Sequence, residues 1–177
     1  ILKSFRDWAY DRGETIRATT SFLMADSTTP DGDYIKPQTN PTNTDCWNGK
    51  AYTPLNQLTP GRTKYGTNNN VRIFRYADVL LMNAEAKIKN GKSGDAPFNE
   101  VRRRAQMPEL TNVTFEQVID ERRMELVCEW GERYNDLVRT GLAKTELKGW
   151  SEDKALLPLP FNQYTQIPDF LKEPKDE

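Results

Sequence analysis

The 177-residue chain contains no histidine, and that absence removes a great deal of chemistry at once. Histidine is the commonest general base near neutral pH and the commonest zinc ligand, so Ser-His-Asp and Cys-His catalysis are excluded within this chain. Cysteine is scarce as well. Cys46 falls in a polar stretch and Cys128 on a predicted helix; the pair permits one disulfide without arguing for it, and the spacing has no metal-site pattern. Nothing in the chain calls for a cofactor. No apolar run reaches the roughly 18 residues of a membrane-spanning helix. Neither sign of charge dominates: 25 lysines and arginines face 26 acids, net −1, which offers no electrostatic case for nucleic acid or anionic lipid. Apolar residues are also few, at 36% against 29% charged, with a mean hydropathy of −0.81. Much of the chain must therefore be loop or charged surface. The opening ILKSFRDWAY has neither the pattern of a signal peptide nor a cysteine placed for lipid attachment, so the protein is expected to be cytosolic or to have an upstream part.

What is present is organised around two stretches. In the first, VRIFRYADVLLMNAEA from Val71, a turn of about 100° per residue puts Phe74, Ala77, Asp78, Leu81, Ala84, Glu85 and Ile88 on one stripe. In the second, Phe115, Val118, Ile119, Arg122, Leu126, Glu129, Trp130, Arg133 and Leu137 align if the helical phase survives Gly131. Acids in one apolar stripe and arginines in the other predict that the helices pack and the charges meet, because a lone charge on a buried face costs several kcal/mol. Asp78, Glu85, Arg122, Glu129 and Arg133 are therefore expected to form a structural ion network that fixes how the helices dock. The competing reading makes the acids catalytic.

Residues 1–24 read as a short helix or turn followed by a strand around Ile16 to Met24. Residues 25–70 change character: Pro30, Pro37, Pro41, Pro54 and Pro60 are interspersed with Asp, Asn, Thr and Gly, which predicts a long irregular loop. It carries Tyr34, Trp47, Tyr52 and Tyr65, and disordered segments are poor in aromatics, so an ordered, surface-laid loop is expected. Carbohydrate sites use aromatics held this way, since a pyranose face stacks on the ring while polar side chains bind its hydroxyls. Trp47 leads as a stacking platform, with Tyr34, Tyr52 or Tyr65 beside it and Asp45, Asn48 and Lys50 within reach of hydroxyls. The competing reading is that these rings pin the loop to the helices. Residues 71–141 read as the helical core. A turn at NGKSGD ends the first helix; Asp95 is a candidate cap for a second that continues to Met107; and Thr114 with Gln117 forms a candidate capping box for the third. Residues 142–177 read as an extended, proline-rich segment that buries Leu156, Leu157, Leu159 and Phe161.

Several runs then resemble the C-terminal region of the SusD/RagB family, the surface-exposed glycan-binding lipoproteins of Bacteroidetes outer membranes. They are Arg17-Ala18-Thr19, the run RYADVLLMNAEA from Arg75, NEVRRRA from Asn99, ERRMEL from Glu121, RYNDLVRTG from Arg133 and LPLP from Leu157. The likeness implies a mainly α fold of tetratricopeptide-like helical hairpins with long irregular loops and little β structure, occupying 1–177 as the C-terminal region of a longer SusD-like protein. It implies a non-catalytic role, in which an oligosaccharide is captured at the cell surface and delivered to a SusC-like TonB-dependent transporter. The membrane would be reached only through a lipid anchor on the N-terminal part of the parent protein. Two other functions are weighed against this. A glycoside hydrolase would draw on acids such as Asp31, Asp33, Asp45, Glu121, Glu125 and Glu129, but the alternation of the last three with Arg122 and Arg123 is better explained by ion pairing. A helical adaptor for a protein partner is compatible with the first reading.

Overall fold

The structure is a computed structural model that describes residues 1–37, 45–61, 67, 70, 72–156, 160–166 and 168. They divide into two units, Ile1–Arg133 and Tyr134–Glu177.

The first unit is built on three helices. α3 (Tyr76–Lys89) and α4 (Asp95–Arg104) form a helical hairpin, and α5 (Phe115–Glu125) packs on α3. Their shared core is Ala77, Leu80, Leu81, Ala84, Phe98, Val101, Val113 and Val118, with Ile88 and Leu110 at its margin. The hairpin turns tightly at Gly94, where an added Cβ would lie 2.8 Å from the Ala84 carbonyl and 2.9 Å from Ile88. Only glycine lets the two helices approach this closely there. Thr114 caps α5 through a complete capping box with Gln117, which satisfies two of the donors a helix start leaves open.

Several boundaries differ from the sequence expectation. α3 begins at Tyr76, after an extended Arg75, so Phe74 lies off the helix and is 73% exposed. α4 stops at Arg104, and Asp95 is its first residue rather than its cap. The Asp95 carboxylate instead accepts the backbone N–H groups of Asn112 and Val113 at 3.0 and 2.9 Å, tying the next loop to the helix start. α5 ends at Glu125 because the chain then enters the left-handed region at Cys128, Trp130 and Gly131. The helical phase does not survive Gly131, and Trp130 turns outward, 63% exposed.

The N-terminal segment supplies a second core. α1 (Lys3–Asp11) stacks Phe5 on Trp8 and sets Phe5 edge-on to Phe22. The residues after it, expected as a strand, form α2 (Ile16–Ser21) before a short β1 (Phe22–Met24). Ala9, Ala18, Phe22 and Cys46 close this core against Met124 of α5. The polar stretch that follows is less irregular than its composition suggests. β1 pairs antiparallel with β4 (Cys46–Asn48), placing Leu23 opposite Trp47, and β2 (Ser27–Thr28) pairs with β3 (Tyr34–Ile35). Short 3-10 turns follow at Gly49–Ala51 and Leu55–Gln57.

α6 (Glu132–Arg139) leads the chain into the second unit, which holds α7 (Ala143–Glu146), a 3-10 turn at Glu152–Ala155 and α8 (Phe161–Tyr164). α8 lies within the segment expected to be wholly extended, and Leu156, expected to be buried, is 81% exposed. Leu157, Leu159 and the Phe161 side chain lie outside the described residues. Within this unit the buried Asp136 accepts from Arg139 at 2.6 and 2.9 Å, and the Tyr134 hydroxyl donates to the Lys154 carbonyl.

Candidate functional site

Charge is concentrated along α5 and the turn that follows it. Glu121, Glu125 and Glu129 stand one helical turn apart in sequence, and each meets more than one cation. Glu121 is fully enclosed; Arg12 and Arg102 donate to its Oε2 at 2.6 and 2.8 Å, and Arg17 lies 2.6 Å from its Oε1 as an ion pair rather than a well-aligned hydrogen bond. Glu125 takes Arg17, Arg75 and Arg104, and Glu129 takes Arg75 and Lys50. Glu14 adds a fourth carboxylate, paired with Arg17 at 2.8 Å. Burial by itself would raise all three glutamates, yet the arginines around them, with Lys50 at Glu129, outweigh it and hold all three below the usual carboxylate range.

Of the residues expected in a structural network, Arg122 donates to Asp78 at 2.6 Å with both side chains buried, and also reaches Glu132 at 3.4 Å. Glu85 lies 3.4 Å from Lys89 on its own helix. Glu129 serves the α5 spine instead, and Arg133 is half-buried at the end of the first unit. Sequence reasoning missed Glu14, Arg12, Arg17, Arg75 and Arg102 as members. The spacing of the three glutamates was visible, but the partners come from distant parts of the chain.

The β1–β4 pair and the turn after it place the loop aromatics. Trp47, Tyr34 and Tyr52 line one shallow cavity of about 380 Å³ with Leu23, Ile35 and Asn48. Trp47 is 36% exposed and Tyr34 52%. The Tyr34 hydroxyl donates to Asp26 at 2.7 Å, and that bond pushes the phenol up. Tyr52 donates to Asp33 and shares a 3.1 Å contact with the Thr29 hydroxyl. Both tyrosine rings, which line the cavity, are thereby anchored by their hydroxyls. Asn48 accepts the Lys50 backbone N–H at 2.9 Å and so caps the 3-10 turn. Asp45 does not join them: it pairs with Arg6 at 2.9 Å, which holds its carboxyl below the ordinary range, and it lines neither cavity. Tyr65 lies outside the described residues.

A second cavity of about 630 Å³ adjoins the first, sharing Asn48, Ala51 and Tyr52 with it. Lys50, Arg72, Arg75, Glu129 and Trp130 line it. The Lys50 ammonium is held in place by donating to Glu129 and to the Glu125 carbonyl, each at 2.6 Å. Trp130, expected within an apolar helix stripe, instead donates from Nε1 to the Arg72 carbonyl at 2.6 Å and presents its ring to solvent. Cys46 is buried and Cys128 exposed, and no disulfide joins them.

The chain is a mainly α protein of tetratricopeptide-like hairpins with little β structure. It belongs to the SusD family, whose model matches residues 1–164. A SusD-like protein of Formosa agariphila is 32% identical over 117 residues, which cover 56% of this chain and 23% of that protein. The starch-binding protein SusD of Bacteroides thetaiotaomicron is 36% identical over 81 residues, 45% of this chain and 14% of that one. Among solved structures, surface glycan-binding protein A from Bacteroides thetaiotaomicron superposes with a TM-score of 0.72 at 28% identity, over 93% of this chain and 38% of its own; the same protein in complex with laminarihexaose superposes equally well. The chain thus spans well under half the length of these relatives.

Proposed function

We propose that this chain is the C-terminal region of a SusD-like protein that binds oligosaccharide at the outer-membrane surface, without catalysis, and passes it to a SusC-like TonB-dependent transporter. The observation that carries the reading is the clustering of Trp47, Tyr34 and Tyr52 around one open cavity on the loop. Flat rings fixed by their polar ends are what a pyranose face needs for stacking. Family membership supports the surface location and the transporter. The ligands named for two relatives, starch and laminarihexaose, supply the glucan probes.

The carboxylates support a binding role over hydrolysis. A glycosidase acid must keep its proton at neutral pH, so its pKa is raised, whereas Glu121, Glu125 and Glu129 are all held low by arginines. Calorimetric titration of the protein with laminarihexaose and a malto-oligosaccharide, beside Trp47→Ala, tests the reading. We expect Trp47→Ala to weaken binding by about tenfold, the loss of one stacking platform of ~1.4 kcal/mol, with no reducing ends released by either protein. Unchanged affinity with a lowered melting temperature would make Trp47 a packing residue and sink the assignment.

A further inference from the structure

The α5 spine joins six cations, Arg12, Arg17, Arg75, Arg102, Arg104 and Lys50, to four carboxylates, Glu14, Glu121, Glu125 and Glu129. A chain that is −1 overall therefore carries a local excess of positive charge, and the spine ends at the larger cavity. There Lys50 and Arg75 share the single carboxylate of Glu129, and Glu125, the other acid Arg75 reaches, also answers Arg17 and Arg104. Arg72 stands on the same wall, exposed, with no ion pair among the described residues. Among the described residues the cavity wall thus holds three cations against one acid. Next to Arg72 the Trp130 ring is exposed and fixed by its bond to the Arg72 carbonyl.

We propose that this cavity is a subsite for an acidic sugar, with a carboxylate or sulfate ester held by Arg72 and the electropositive floor at Lys50 and Arg75, and the pyranose face against Trp130. The inference rests on the oligosaccharide-binding reading above and deepens it. The two cavities share Asn48, Ala51 and Tyr52, so one chain can lay one unit on Trp47 and an acidic unit on Trp130. An anionic group is what this wall lacks: a guanidinium binds planar oxyanions through two parallel donors, and among the described residues nothing accepts from the Arg72 guanidinium.

The test is titration calorimetry with three oligosaccharides of equal length: laminarihexaose, an oligogalacturonate and a sulfated hexasaccharide. At least one of the acidic ligands should bind about tenfold tighter than the neutral one, as expected for one charge-assisted contact, and the arm that does so identifies carboxylate or sulfate as the group recognised. Arg72→Gln should bring that ratio close to one, with an unchanged melting curve as evidence that it folds. Equal affinity for neutral and acidic ligands overturns the acidic subsite and leaves the oligosaccharide reading standing. An acid preference that persists in Arg72→Gln also overturns it, since the preference then arises elsewhere. Binding of none of the three overturns both readings together.

Discussion

Arg122 and Asp78 meet in a place neither could occupy alone. Each side chain is nearly out of water, and the 2.6 Å bond between them replaces the solvation both have lost. Removing one member strands the other, so Arg122→Ala should destabilise the protein by about 3 to 5 kcal/mol, whereas Arg122→Met, which refills the volume, should cost clearly more than Asp78→Leu/Arg122→Met together. Urea unfolding of the three variants checks this; a loss below about 1 kcal/mol for Arg122→Ala would mean that the pair behaves as an exposed one. This contact was legible in the sequence because each residue interrupts an otherwise apolar stripe. Glu121 was not legible in the same way. It is as enclosed as any core residue, but α5 is covered on one side by α3 and α4 and on another by the N-terminal segment, and a helix buried on several sides loses the one-faced periodicity that would mark its inward positions. Its partners Arg12 and Arg17 lie over a hundred residues away in the chain, a distance at which no local pattern speaks.

At the scale of elements, the helices with a strong apolar period were readable, and the short segments were not. α3, α4 and α5 appear along the stripes that predict them, with α3 starting at Tyr76, Asp95 inside α4 rather than capping it, and α5 ending at Glu125. α2 was expected as a strand because Thr, Ile and Phe favour one. It folds as a helix because that geometry brings Arg17 back onto Glu14 and across to Glu121 and Glu125, a tertiary preference stronger than the intrinsic one. The strands of the polar stretch are two or three residues long, too short for alternation to show. What holds that stretch down is Gly49. A Cβ there would sit 2.1 Å from the Thr20 carbonyl, so the turn that follows β4 fits against α2 only without a side chain. Gly49→Ala should therefore cost about 1 to 3 kcal/mol, the usual range for overpacking, and should also weaken oligosaccharide binding, because Asn48 and Tyr52 flank that turn and line both cavities. A melting curve and a glucan titration on the same variant would check it. Full stability with full affinity would show that the turn relaxes away from α2 without consequence.

For the whole molecule, the absence of histidine and the abundance of arginine together set the response to pH. The side chains that ordinarily titrate between pH 5 and 8 are histidines, and there are none; burial pushes the thiols of Cys46 and Cys128 up, away from that range. Stability should accordingly be level from about pH 6 to 8. Below that Glu121, Glu125 and Glu129 take over. Burial alone would raise them, but Arg17, Arg12 and Arg102 at Glu121, and Arg75 at Glu125 and Glu129, reverse the sign and leave their folded values below the unfolded ones. A carboxylate lowered on folding contributes stability that is present above its unfolded pKa of about 4.3 and lost as pH falls through the folded value. Asp45, lowered by Arg6, adds in the same direction. Protonation also leaves six cations facing one another with fewer counter-charges, which adds repulsion among them. The urea midpoint should therefore be constant near neutrality and fall steeply from about pH 5 downward. The replacement of Glu121 by Gln should flatten part of that fall, since it removes one titrating member, while lowering the neutral plateau. A midpoint that stays level to pH 3 in the unsubstituted protein would mean that the glutamates titrate alike in the folded and unfolded chains, and that the arginines around α5 do not stabilise their charged forms.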